Sequence, residues 1–308
     1  PRPCTPGPSG GGPVKDILAK LNDGGTLVCD GAMGTMLQAA GLQAGDCPEL
    51  WCLERADAVR DVYRDYRAAG SDVVETNSFG ANRYKLEHFG LAERVGDLNR
   101  AAARLACEVA GGTQWVIGSV GPTGRFVEPY GDTKESELED AFREQIEALR
   151  EGGADLVIIE TMTALEEALA GVRAARTVGG LAVAVSMTFD PQVNGGYATM
   201  MGVRPDGFAA AARDAGADIV ATNCGTGPAS MSEIVRELRA AAPDAPILAM
   251  PNAGMPVLEA GQTVFKMTPD EMAARVPDLL DAGATVIGGC CGTTPAHIAA
   301  LKQAVTAR

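Results

Sequence analysis

Apolar runs recur along the chain with turn residues before them and helix-period patterns after them, which is the signature of βα units. Eight such runs stand out, at residues 26–29, 72–75, 115–120, 155–160, 181–189, 218–223, 246–250 and 285–289. The helical patterns cover 53–69, 91–110, 135–151, 164–175, 207–215, 231–241, 269–281 and 295–307. Pro269 and Pro295 each follow a threonine, as suits a first helical turn. Eight strands alternating with helices predict a parallel sheet closed into a (β/α)8 TIM barrel, an α/β fold with a single domain over residues 14–308.

A weak internal repeat supports this reading. Ala69-Gly70-Ser71-Asp72, Gly152-Gly153-Ala154-Asp155, Ala215-Gly216-Ala217-Asp218 and Ala282-Gly283-Ala284-Thr285 each sit between a helix and a strand. Glycine at that point is expected to end the helix in a left-handed conformation. Three long connections, 77–90, 121–134 and 253–268, all follow strands. They are therefore expected on the C-terminal rim, where barrels of this kind place their chemistry.

Composition narrows the partners. Twenty-six basic residues against forty acidic ones leave a net charge of −14 with no basic stripe, which argues against nucleic acid and against anionic membrane surfaces. No run approaches the length of a membrane-spanning helix. Eight cysteines in a chain of 308 residues without a visible signal peptide point to thiol or metal chemistry in a reducing cytoplasm rather than to disulfides. Residues 1–13 hold five prolines and four glycines and read as a disordered lead-in, in which Cys4 has no assigned role.

In a barrel the strand tips converge on one mouth, and here they present Asp30, Glu75 with Thr76 and Asn77, Ser119, Glu160, Asp190, Cys224, Asn252, and Cys290 with Cys291. The cysteines are the most telling of these. Zn²⁺ favours sulfur, and three thiolates with one open position make a catalytic tetrahedral site. Neighbouring strand residues point to opposite faces, so Cys290 and Cys291 share an ion only where the backbone leaves extended geometry, a freedom that Gly288, Gly289 and Gly292 supply. The pair alone is equally consistent with two buried thiols or a reactive vicinal pair. A third cysteine, Cys224, at another strand tip favours metal.

The remaining candidates are plainer. His88 and His297 read as surface residues, Cys29, Cys47, Cys52 and Cys107 as core or loop thiols, and Glu166-Glu167 as a solvated helix face. A Schiff-base aldolase would need a lysine at a strand tip, and none of the six lysines ends a strand. A barrel that stores zinc or senses redox state would use the same cysteines without any group transfer.

Several motifs in order resemble the zinc-dependent homocysteine S-methyltransferases: Asp30-Gly31-Ala32-Met33-Gly34-Thr35, Glu75-Thr76-Asn77-Ser78-Phe79-Gly80-Ala81, Gly118-Ser119-Val120-Gly121-Pro122-Thr123-Gly124, Asn223-Cys224, Pro251-Asn252-Ala253-Gly254 and Gly288-Gly289-Cys290-Cys291-Gly292. The likeness runs from about Val14 onward and looks closest to the homocysteine-binding module of cobalamin-dependent methionine synthase. The resemblance implies an eight-stranded α/β barrel with Cys224, Cys290 and Cys291 as ligands of one Zn²⁺. It matches Asn252 to a residue beside the metal that takes the fourth position when thiol is absent, and Asp30 and Glu160 to carboxylates that hold the substrate's α-ammonium group.

The backbone N–H groups of Gly31, Ala32, Met33 and Gly34 are candidates to receive the substrate carboxylate. The implied reaction is attack of a zinc-bound homocysteine thiolate on an activated methyl group, supplied by a methylcorrinoid protein or further methionine synthase modules, to give methionine. S-methylmethionine and betaine are the alternative donors, and a thiol similar to homocysteine, or another acceptor in a corrinoid-linked methyl transfer, is the alternative acceptor. Cobalamin held by the chain itself would be expected to show an Asp-x-His-x-x-Gly loop, and Leu86-Glu87-His88-Phe89-Gly90 does not match it.

Overall fold

A computed structural model describes residues 16–259 and 262–308. The lead-in expected over residues 1–13, with Cys4, lies outside the described residues. Eight parallel strands, β1 (Leu27–Val28), β2 (Val73–Glu75), β3 (Trp115–Val120), β4 (Leu156–Met162), β5 (Ala182–Met187), β6 (Ile219–Asn223), β7 (Ile247–Met250) and β8 (Val286–Ile287), form one sheet in which each strand pairs with its sequence neighbours. The ends join as well: β1 pairs with β8 through Leu27↔Val286 and Val28↔Ile287, and a bridge between Cys29 and Val73 ties it to β2. The result is the expected (β/α)8 TIM barrel.

Side chains alternate across this sheet, as strand geometry requires. Leu27, Cys29, Val73, Ile117, Leu156, Ile158, Ala184, Ile219, Ala221, Leu248, Met250 and Val286 pack together inside the barrel. Their neighbours Val28, Val74, Val116, Val157, Ile159, Val183, Val185, Val220, Ala249 and Ile287 face the helices. Full burial of each larger aliphatic group is worth about 1.5–3 kcal/mol. The helical ring is α1 (Ala56–Ala68), α2 (Val95–Ala110), α3 (Glu135–Gly152), α4 (Leu165–Val178), α5 (Pro205–Asp214), α6 (Pro228–Ala241), α7 (Val276–Ala282) and α8 (Pro295–Thr306). In α3 the buried residues Leu138, Ala141, Phe142, Gln145, Ile146 and Leu149 keep the three-and-four spacing of a helix with one face on the core.

The internal repeat has a double role. Gly70, Gly153, Gly216 and Gly283 take φ of 92°, 106°, 96° and 109°, the left-handed region that glycine tolerates. Two residues further on, Asp72, Asp155, Asp218 and Thr285 accept the backbone N–H of Val28, Val116, Val183 and Ile247 on a neighbouring strand, at 2.9, 2.8, 2.8 and 3.0 Å. The repeat thus stops a helix and fixes a strand's register in the same four residues.

Four local expectations need correction. The sequence reading has no element before β1, yet a helix, Ile17–Asn22, capped by Asp16, inserts Ile17 and Leu21 into the barrel's interior cluster. The fifth strand ends at Met187 rather than 189, and Phe189 turns into the core against Phe208. The seventh helix is broken into Pro269–Ala273 and Val276–Ala282, because Pro277 has no N–H with which to continue the ladder. The pattern at 53–69 becomes two helices, Trp51–Glu54 and Ala56–Ala68, separated by Arg55 at φ −134°.

The connections after β2, β3 and β7 lie at the strands' C-terminal ends, as expected. The β7 connection carries an antiparallel ribbon, Val257–Glu259 with Gln262–Val264. A further ribbon, Asp190–Pro191 with Tyr197–Ala198, follows β5.

Candidate active site

Continuing the inward alternation to the strand tips turns an apolar barrel into a polar layer. Above Val73, Ile117, Ile158, Ala184 and Ala221 stand Glu75, Ser119, Glu160, Ser186 and Asn223. Asp30 follows Cys29 at the end of β1, and Cys224 follows Asn223. Asp30 is 2% exposed and Glu160 6%.

The three expected cysteines come together: the Sγ atoms of Cys224, Cys290 and Cys291 all lie within 4.8 Å of one another. Cys224 and Cys291 are 3.8 Å apart. A disulfide would need about 2.05 Å, whereas tetrahedral Zn–S bonds of about 2.3 Å separate two sulfurs by about 3.8 Å. The spacing therefore fits a shared metal ion. Cys224 reaches the cluster through a left-handed backbone, φ 60°, which is costly for a residue with a Cβ.

Cys290 and Cys291 leave extended geometry as the sequence required. Thr293 closes a turn by donating its N–H to Cys290 O at 3.1 Å, and its hydroxyl donates to the same oxygen at 2.7 Å. Gly292, at φ 79°, completes the turn beneath the Phe265 side chain. Gly289 contributes room rather than an unusual φ, since a Cβ there would stand 2.5 Å from Thr293 Oγ1.

The electrostatics of the cluster follow from its crowding. Hydrogen bonds from Cys290 and Cys291, and further from Asn252, draw the Cys224 thiol's pKa far down, while sharing a proton with Cys224 raises that of Cys290 and of Cys291. Asn252 also holds its place through its N–H to Thr226 O at 3.0 Å, and its Oδ1 is buried without a hydrogen-bond partner. Three soft donors and a polar group beside them are a donor set suited to Zn²⁺.

Beside the sulfurs lies an acidic wall. Glu160 accepts from Ser119 Oγ, and from Asn223 Nδ2 at 3.2 Å. Burial pushes its carboxyl up to about 7, against the Ser119 hydrogen bond. Asp30 accepts the Glu75 N–H at 3.0 Å, and burial pushes it up to about 8. Glu75 is also raised, first by burial and then by repulsion from Glu160 and Asp30. In the turn after Asp30, the Ala32 N–H is engaged by Thr293 Oγ1 at 3.1 Å, which joins the 31–34 segment to the cysteine turn. Met33 and Gly34 open the helix Met33–Ala39.

Some residues differ from their sequence reading. His297 is buried rather than on the surface: its Nδ1 caps the start of α8 at Thr294, and its Nε2 meets Met267 O at 2.9 Å. Glu167 is likewise buried, because the N–H and hydroxyl of Thr123 both donate to it, whereas Glu166 is exposed as expected. Asn223 and Ser119 received no role from the sequence, although strand parity placed both at the mouth. Cys29, Cys47, Cys52 and Cys107 are buried, and His88 is exposed. Among the described residues no helix is long and apolar enough to cross a membrane.

The family model for homocysteine S-methyltransferase matches residues 27–305. The methionine synthase of Mycobacterium tuberculosis is 36% identical over 306 residues, which cover 94% of this chain and 25% of that protein. That of Mycobacterium leprae is 36% identical over 295 residues, covering 91% and 24%. The chain thus spans about a quarter of the length of these curated relatives. Among solved structures, the metallated form of the homocysteine methyltransferase MmuM from Escherichia coli superposes with a TM-score of 0.77 at 26% identity, covering 95% of this chain and 99% of that one. With the match extending over nearly every element of the barrel, the chain belongs to the homocysteine S-methyltransferase family of enzymes.

Proposed function

We propose that this barrel binds one Zn²⁺ through Cys224, Cys290 and Cys291 and transfers a methyl group to the sulfur of homocysteine, giving methionine. The observation that carries the reading is the meeting of three sulfurs within 4.8 Å beside the buried carboxylates of Asp30 and Glu160. A free thiol has a pKa of about 8.5, and a zinc ion at the cluster would supply the chemistry of holding the substrate sulfur as thiolate at neutral pH.

The chain's own residues then position the substrate. Asp30 and Glu160 receive the α-ammonium group, and the turn Gly31, Ala32, Met33, Gly34 faces the α-carboxylate. Because Thr293 occupies the Ala32 amide, the amides of Gly31, Met33 and Gly34 are the ones left for that contact. Asn252 stands next to Cys224, to which its side-chain amide donates, and its Oδ1 is buried without a hydrogen-bond partner. In the transfer, the new S–CH₃ bond forms as the bond from methyl to donor breaks, and the bonding pair stays with the donor.

The methyl donor is proposed to be a methylcorrinoid carried on a separate protein or on further modules. The 36% identity to methionine synthases, of which the chain spans a quarter, supports this choice. The reading also makes the enzyme cytoplasmic, where the three cysteines of the cluster stay reduced. The test is a donor panel with zinc-loaded protein and homocysteine: methylcobalamin, a methylated corrinoid protein, S-methylmethionine and betaine. Methionine formed from the corrinoid donors is expected. Turnover with S-methylmethionine or betaine alone would replace the donor, and no methionine from any of them would overturn the reading.

A further inference from the structure

The three acids in the barrel mouth are not equivalent. Asp30 already has donors, the Glu75 N–H at 3.0 Å and the Cys29 thiol at 3.5 Å. Glu160 has Ser119 on one oxygen and Asn223 on the other. Glu75 Oε1, by contrast, is buried with no hydrogen-bond partner. The side chain cannot point elsewhere: Val73 lies in the barrel's interior cluster and Val74 in the outer one, so strand parity turns Glu75 inward.

A buried carboxylate oxygen without a donor is costly, by about 1–3 kcal/mol or more for a charged group, and such an oxygen in a binding site calls for a donor brought by the ligand. The only cationic donor in the substrate class proposed above is its α-ammonium group. Asp30 takes the Glu75 N–H, and Ser119, which holds Glu160, donates its own N–H to Thr76 Oγ1 at 3.0 Å, so hydrogen bonds tie together the strand tips that carry the three acids.

We infer that Glu75 is a direct contact for the α-ammonium group of the substrate and the residue that makes the site select α-amino thiols over thiols without an amine. Asp30 and Glu160 meet that group with protein donors already in place, and Glu75 joins them as the acceptor whose hydrogen bonding only binding completes. The inference rests on the proposed homocysteine reading and adds to it the source of its amine selectivity.

The test compares binding of L-homocysteine and of 4-mercaptobutanoate, which keeps the thiol and carboxylate but lacks the amine, to the zinc-loaded full chain by calorimetry. Wild type is expected to prefer homocysteine. Glu75→Gln is expected to weaken homocysteine binding about tenfold or more, the worth of one charge-assisted hydrogen bond, while binding 4-mercaptobutanoate within about twofold of wild type and keeping its zinc content. Glu75→Asp, which retains the carboxylate, is expected to keep part of the preference and serves as the readout if Glu75→Gln does not fold. An unchanged preference in Glu75→Gln, or an equal loss for both thiols, overturns the assignment of Glu75 alone. Failure of wild type to bind homocysteine at all overturns the homocysteine reading and this inference with it.

Discussion

Asn223, at the tip of β6, donates its side-chain amide to Glu160 at the tip of β4 over 3.2 Å. The same nitrogen faces Cys290 Sγ at 3.8 Å, and the amide also locks Thr161 in place, donating to its hydroxyl at 2.8 Å and accepting its N–H at 3.0 Å. Thr161 is held at φ 60°, like Cys224. One side chain therefore braces the acidic wall, a strained strand bulge and a member of the cysteine cluster.

Replacing Asn223 with Ala should accordingly disturb both halves of the site. It leaves Glu160 and the Thr161 amide short of a partner, which should cost about 1–3 kcal/mol of stability for each group left buried. It should also weaken zinc binding by about 10–100-fold, the usual worth of a group that orients a ligand. Denaturant unfolding and a competitive chelator titration measure the two. A variant with normal stability and metal affinity would show that the network is dispensable.

Single Cys224→Ala, Cys290→Ala and Cys291→Ala variants should each lose zinc affinity by more than the roughly 10–100-fold of an outer partner and lose methyl transfer with it. Metal analysis after gel filtration reads the first and methionine formation the second. A variant that keeps stoichiometric zinc would remove its cysteine from the ligand set.

The barrel was legible because its repeat is local. The turn glycines and the Asp or Thr two residues later mark each helix-to-strand passage within a few residues, and the apolar runs supply the strands. The cysteines were legible for a different reason: parity at 290 and 291 forbids a shared partner unless the chain turns, and Gly292 shows that it does. Glu75 carried the same inward parity but no visible consequence. Its isolation depends on β1 closing against β2 through the Cys29 bridge and on which neighbours already have donors. His297 and Glu167 were misread because their partners, Met267 and Thr123, lie in loops whose paths no periodicity encodes.

Two glycine substitutions should separate packing from propensity. A Cβ at Gly289 would stand 2.5–2.7 Å from the Thr293 side chain, whereas one at Gly34 meets nothing within 4 Å. Gly289→Ala should cost about 1–3 kcal/mol as the crowded turn shifts, and should lower zinc affinity because Thr293 holds Cys290. Gly34→Ala, inside the helix Met33–Ala39, should gain up to about 1 kcal/mol. Thermal unfolding of both variants, compared with wild type, checks the opposite signs.

Asp30 gives a dependence of stability on pH with a definite sign. Burial lifts its carboxyl to about 8 in the folded protein, from an ordinary value of 3.8. Between those values the folded state keeps a proton that the unfolded chain has released, so this group's contribution is complete below about pH 4 and is lost as pH rises through about 8. Asp30→Asn cannot titrate but still offers an oxygen to the Glu75 N–H. The variant should therefore gain stability relative to wild type from about pH 4.5 to 8, and the repulsion between ionised Asp30 and Glu75, absent from the variant, works in the same direction. Melting curves of the two proteins across that range, at matched zinc content, measure the difference. A constant offset would mean that Asp30 is ionised in the folded barrel and that its negative charge is already balanced before any substrate ammonium arrives.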